Sequence, residues 1–187
     1  MSLVLLKFKG VSEIVGSDEV GLLFLTTEDA SRQLSIVCDK AMIYQFGLRL
    51  SSAKGKETLL PEVLWQVIEK NTGLDFQILI KDVVGGQYKV FLYNISLQQI
   101  YPMRASDAVL LSEIGHIPIY IENKLLFQQS VPNQGNYHNI SIPVNSLSVE
   151  MLKEALERAI KEEKYEQAAQ LRDELKRRNS DQPLTLQ

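Results

Sequence analysis

The run Arg104–Ala105–Ser106–Asp107 sets a guanidinium and a carboxylate three residues apart, just ahead of an apolar helical pattern. Ser106 is a favoured N-cap type, and Asp107 then falls in the first turn, where unpaired amides favour a carboxylate. Arg104 is close enough to pair with Asp107 and fasten a strand-to-helix corner, or to meet a phosphate through two parallel bonds. Other reactive groups are few. His116 and His138 are the only histidines, and neither stands in a zinc-ligand spacing. Cys38, the single cysteine, has no histidine near it in sequence and reads as a small buried apolar residue. Gly85–Gly86 is a turn, and neither a P-loop nor a dinucleotide fingerprint is present.

The elements that must position these groups follow from periodicity. Residues 3–9 and 20–26 read as strands, with a turn at Glu28–Asp29 and a third strand around Leu34–Val37. Asp39 then caps a helix whose Met42, Ile43, Phe46 and Leu50 recur at three- and four-residue intervals. A second helix spans about Thr58 to Lys70, with Pro61 in its first turn, Leu60, Leu64, Val67 and Ile68 as its apolar stripe, and Gly73 at its end. Trp65 on that helix reads as core. Phe76–Val83 and Tyr88–Ile95 form a hairpin through Gly85–Gly86, where glycine supplies positive φ. A strand at Gln99–Met103 leads to a helix from about Ser106 to Ile114 closed by Gly115, then a strand at Ile117–Ile121 and a short helix over Glu122–Gln128.

Residues 131–147, rich in Pro, Asn and Gly, read as a linker. Two short amphipathic helices follow over 148–178. Ser148 caps the first, which carries Leu152, Leu156, Ala159 and Ile160; after a break near Glu163–Lys164, Ala168, Leu171 and Leu175 stripe the second. Helices this short bury little surface alone, so the hairpin calls for cover. The basic run Lys176–Arg177–Arg178 complements the last turn's dipole, and residues 179–187 read as a flexible tail.

Composition narrows the classes. The chain has 187 residues, 45% of them hydrophobic, enough for one domain with a small appendage. No apolar run is long enough to span a bilayer, and the amino terminus reads as a first strand, not a signal peptide. One cysteine fits a reducing, cytoplasmic setting. A net charge of −3 and a pI near 5.5 lack the basic surplus that phosphate-driven nucleic-acid binding favours, so DNA or RNA contact requires a local basic patch or a metal.

Two segments resemble known families. The run RASDAVLLSEIGHIPIYIENKLL is similar to the R-P-S-D-A, apolar helix, P-I-[YF]-[VI] segment of the bifunctional nuclease family. The order of the strands at 21–26 and 34–37 and of the Gly85–Gly86 hairpin agrees, so that the likeness covers residues 1–130. It implies a mixed, mainly antiparallel α+β domain, a homo-oligomer, and metal-assisted cleavage of DNA or RNA. On this likeness Asp107, Arg104 and Glu62 are the catalytic candidates. Asp107 and Glu62 are the oxygen ligands for Mg or Mn, and Arg104 and Ser106 the substrate contacts. The family's usual acid, histidine and proline are replaced here by Lys40, Pro61 and Ala105, and Glu62 stands in for an aspartate. The run Tyr165–Glu166–Gln167–Ala168–Ala169–Gln170–Leu171–Arg172–Asp173–Glu174–Leu175 resembles the F-E-x-A-A-x-L-R-D-x-I core of the UVR motif. That resemblance implies a protein partner, met through Tyr165, Ala168, Ala169, Leu171, Arg172, Asp173 and Leu175. Two functions are therefore expected to compete: a divergent metal-dependent nuclease recruited by its hairpin, and a non-catalytic oligomeric scaffold that binds a partner through the hairpin.

Overall fold

The computed structural model describes residues 2–13, 20–51, 54–133, 147 and 149–180. Among the described residues, eight strands form one mixed sheet. In chain order they are β1 (Leu3–Glu13), β2 (Val20–Thr27), β3 (Arg32–Asp39), β4 (Phe76–Val84), β5 (Gln87–Asn94), β6 (Gln99–Met103), β7 (Ile119–Glu122) and β8 (Ser130–Pro132). Their spatial order is β6-β5-β4-β7-β1-β2-β3-β8, and β4–β7 is the parallel pair in an otherwise antiparallel ladder. That is the expected α+β class.

The α-helices among the described residues are α1 (Lys40–Leu50), α2 (Leu60–Thr72), α3 (Ala105–Gly115), α4 (Asn123–Gln129), α5 (Val149–Lys161) and α6 (Tyr165–Ser180). The main core gathers Leu23, Leu25, Ile36, Ile78, Ile80, Ile119 and Ile121 from the sheet, with Met42 and Phe46 of α1 and Ala108 and Val109 of α3. The alternating apolar residues of these strands face the helices, which is why β-branched and leucine side chains dominate there.

Local chemistry explains most boundaries. Asp39 caps α1 as expected, its carboxylate accepting from the Met42 N–H at 2.8 Å. Gly73 takes the left-handed conformation (φ 56°) that ends α2, and Gly85 and Gly86 (φ 59° and 81°) make the β4–β5 turn.

The structure departs from the sequence reading in four places. Strand β8 occupies the first part of the expected linker, pairing Ser130–Pro132 with Arg32–Leu34. Arg32 secures it, donating to Ser130 Oγ and to the Ser130 carbonyl at 2.7 Å each while stacking on Phe127. Helix α3 begins at Ala105, not Ser106; its N-cap is Arg104, whose carbonyl accepts from the Ala108 N–H at 3.0 Å, and Ser106 is buried in the first turn. His116, not Gly115, supplies the left-handed residue after α3 (φ 52°). Gly115 is needed instead for closeness, since a Cβ there would sit 2.5 Å from the Trp65 ring.

The fourth departure concerns α2. Its expected core stripe faces water: Leu60 is 70% exposed, Leu64 53%, Val67 54% and Ile68 37%. Trp65 holds the opposite face inward, edge-on to Phe76 at 5.9 Å and against Gly115. Ser148, His138 and residues 134–146 and 181–187, with the cap, linker and tail expected there, fall outside the described residues.

Candidate functional site

Two helix starts converge at the corner after β6. Arg104 donates from Nε and Nη2 to the two oxygens of Asp107, at 2.7 and 3.0 Å, as a planar fork on a first-turn carboxylate. Its Nη1 reaches Asp39 Oδ2 at 3.3 Å, so one guanidinium bridges the amino ends of α1 and α3. The bond and charge of Asp107, more than those of Asp39, hold the Arg104 guanidinium above its already high ordinary pKa. All three side chains are open to water, at 66% for Arg104, 36% for Asp107 and 50% for Asp39, so the attraction is strongly screened. In the sequence Asp39 stands out only as a cap. Its second carboxylate oxygen, free of the cap, makes it a member of this cluster across 65 residues of chain.

Glu62 stands elsewhere. Its carboxylate meets Arg49 of α1 at 2.7 Å, with side-chain exposures of 13% and 10%. The pair lies on a cavity of about 240 Å³ walled by Phe8, Phe46, Leu50 and Ile114, with Glu113 beside it. Burial pushes the Glu113 carboxyl up, and the nearby His116 opposes that. A guanidinium that holds Glu62 this closely competes with any cation for the same oxygens. Among the described residues, no three His, Cys, Asp or Glu side chains are grouped so as to hold a metal ion. The exposed corner can therefore present an anion with a guanidinium already shared by two carboxylates, or offer Asp39 and Asp107 to a cation that displaces Arg104.

Cys38 lies inside, 5% exposed at the end of β3. Burial, aided by the adjacent Asp39 charge, pushes its thiol up to about 11. A raised folded-state value means that the neutral thiol's contribution to stability is complete below pH 9 and is lost as pH rises toward 11. At pH 8 the native protein is therefore expected to resist a thiol reagent that labels the urea-unfolded chain promptly. Equal rates in the two states would show that Cys38 is accessible.

The C-terminal hairpin has a core of its own. Leu147, Leu152, Ala159, Ala168 and Leu171 are buried together, with Met151, Ala155, Leu156 and Leu175 packed against them. Glu163 in the left-handed region (φ 57°) turns the chain between the helices. The stripes of α5 and α6 thus cover one another, apart from Ile160, which is 55% exposed.

The hairpin is seated on the sheet domain at the β4–β5 turn. Arg178, 7% exposed, donates to the Leu147 carbonyl and is held by Glu174 at 2.9 Å. Both the Leu147 carbonyl and the Arg178 guanidinium press on Gly86, where a Cβ would come within 2.6 and 2.8 Å of them. Beside this contact a cleft of about 700 Å³ opens between Asp82–Gly86, Leu125, Gln128 and the end of α6. The residues singled out on α6 divide accordingly. Ala168 and Leu171 are internal, Ala169 and Leu175 half-buried, and Tyr165, Arg172 and Asp173 exposed.

Comparison with known proteins bears on the hairpin. Residues 148–178 match the UVR family, the UvrB/uvrC motif, over the span of α5 and α6. The UVR motif is a protein- or DNA-interaction module. No curated protein matches the chain. No helix among the described residues is long and apolar enough to cross a membrane.

Proposed function

We propose that this protein is an adaptor: a sheet domain that carries a UVR hairpin and presents the outer face of α6 to a protein partner. The observation that supports it is the pairing of a matched interaction motif with polar and aromatic side chains the fold leaves outside. Tyr165 and Arg172 are exposed at helical spacing on one side of α6, with half-buried Ala169 between them and exposed Asp173 next to them, while Leu152, Ala159, Ala168 and Leu171 are spent inside the hairpin. An aromatic ring with a flanking guanidinium is the composition of an interface anchor. The expected partner is another protein with an acidic or amphipathic helical face, since the net charge of −3 disfavours binding driven by phosphate neutralisation.

The 187-residue chain used as bait is expected to retain a partner that is lost, by at least tenfold in affinity, in Tyr165→Ser/Arg172→Glu. Both positions are exposed, so the circular-dichroism spectrum should stay the same. A partner that binds this variant as well as the parent chain would remove α6 from the interface.

The nuclease reading has one specific support in the Arg104–Asp107–Asp39 corner, where two carboxylates and a guanidinium share a surface between helix starts. In that reading Asp107 and Asp39, in place of the Glu62 expected as second acid, would offer oxygens to Mg²⁺ or Mn²⁺, and Arg104 would neutralise the scissile phosphate. Purified protein with either metal should then degrade single-stranded DNA or RNA, with Asp107→Ala and Arg104→Ala each lowering the rate at least a hundredfold. A folded protein inert towards both substrates with both metals would leave the adaptor alone.

A further inference from the structure

The outward face of α2 has no counterpart in the adaptor proposal. At 100° per residue, Leu60, Val63, Leu64, Val67 and Ile68 fall within one continuous arc, with Trp65 and Glu62 on the opposite side. All five aliphatic residues are exposed, from 37% for Ile68 to 70% for Leu60. Together they leave ~400 Å² of apolar surface per copy in one strip, within the ~300–600 Å² of the largest patch on a typical monomer, which is often functional.

We propose that this strip is the contact helix of a twofold homodimer, with two copies of α2 packed antiparallel. Self-association is favoured by the pattern of the strip itself. A twofold axis at Leu64, the middle of the run, sets Leu60 against the partner's Ile68 and Leu64 against the partner's Leu64, so every apolar residue is covered by the same set.

The charges agree with that direction and not with a parallel one. Glu57, exposed in the single 3-10 turn ahead of the helix, and Lys70, exposed at its far end on the rim of the arc, come opposite each other across the axis. Each dimer thus gains two such pairs, whereas a parallel arrangement would set Glu57 against Glu57 and Lys70 against Lys70. Antiparallel packing also sets each helix amino end beside the partner's carboxyl end, which the backbone dipoles favour.

With its rim the apolar strip is on the order of the ~500 Å² per partner that a small specific interface must clear. Another exposed apolar segment among the described residues, edge strand β6 with Ile100 and Tyr101, is a poorer self-pairing surface, because Pro102 lacks the N–H that strand addition needs.

Sedimentation equilibrium or light scattering of the full chain decides the matter. The parent chain is expected to run as a dimer at micromolar concentration, and Leu64→Glu as a monomer with an unchanged circular-dichroism spectrum. If Leu64→Glu disturbs folding, the charge variants serve instead. Glu57→Lys and Lys70→Glu should each raise the dimer dissociation constant at least fivefold, and the double swap should restore it. A parent chain monomeric up to ~100 μM, above the range where standard interfaces hold, overturns the proposal, and means that the strip is covered by a different protein. A dimer indifferent to Leu64→Glu, or charge swaps that fail to compensate, places the contact on another surface and overturns it as well.

Discussion

Leu171→Asp is expected to unfold the C-terminal hairpin while leaving the eight-stranded sheet folded. Leu171 is 2% exposed and packs among Leu152, Ala159 and Ala168, in a core whose buried members number five. Truncating a buried leucine costs about 2–5 kcal/mol through lost transfer energy and the cavity left behind. An unpaired carboxylate at the same place adds a desolvation penalty of several kcal/mol more. Helices of 13 and 16 residues have little stability apart from mutual packing, so they cannot absorb that loss. Hydrogen exchange should therefore show the amides of α5 and α6 losing protection together, with those of β1, β2 and β7 unchanged. Retained protection across α6 would mean that the hairpin is held by contacts other than its own core.

The second large effect concerns the ion pair joining α1 to α2. Arg49→Met strips the cation from a Glu62 carboxylate that is 13% exposed, and breaking a buried pair from one side is far more costly than replacing both partners. A loss of about 3 kcal/mol is expected in urea unfolding, with a fall of about 6–12 °C in Tm. The double variant Arg49→Met/Glu62→Met should recover most of it, because the cavity wall of Phe8, Phe46, Leu50 and Ile114 already suits an apolar side chain. A single-variant cost below about 1 kcal/mol would rank the pair with ordinary surface bridges. The same experiment bears on Glu62 as a metal ligand. A carboxylate reserved for a cation should bind Mn²⁺ more tightly once Arg49 is gone.

These two pairs of residues show how the candidate sites divide. At the β6–α3 corner, neighbours in sequence do the work, and the Arg104–Asp107 fork follows from a spacing of three residues across a helix start. At α2, the residue expected to join them turned the other way and met a partner 13 positions upstream. The hairpin repeats the contrast. Its helices and stripes follow the periodicity of residues 149–178, whereas its seat on Gly86 depends on a glycine 92 residues before Arg178, whose missing Cβ leaves room for a guanidinium and a carbonyl.

The amino-acid sequence alone determined the local grammar of this protein. Apolar alternation located the strands, Asp39 and Gly73 bounded their helices, Gly85–Gly86 made the turn, and Tyr165–Leu175 carried a motif recognisable without coordinates. Each of these rests on interactions within a few residues, which spacing records directly. The tertiary structure decided which face of α2 meets the core, that Asp39 and not Glu62 stands beside Arg104, and that Ser130–Pro132 closes the sheet against Arg32. Those outcomes depend on which of several competing partners packs best. Trp65 against Gly115 and Arg49 against Glu62 together outweighed a stripe of four aliphatic residues, and no periodicity within α2 could have reported it.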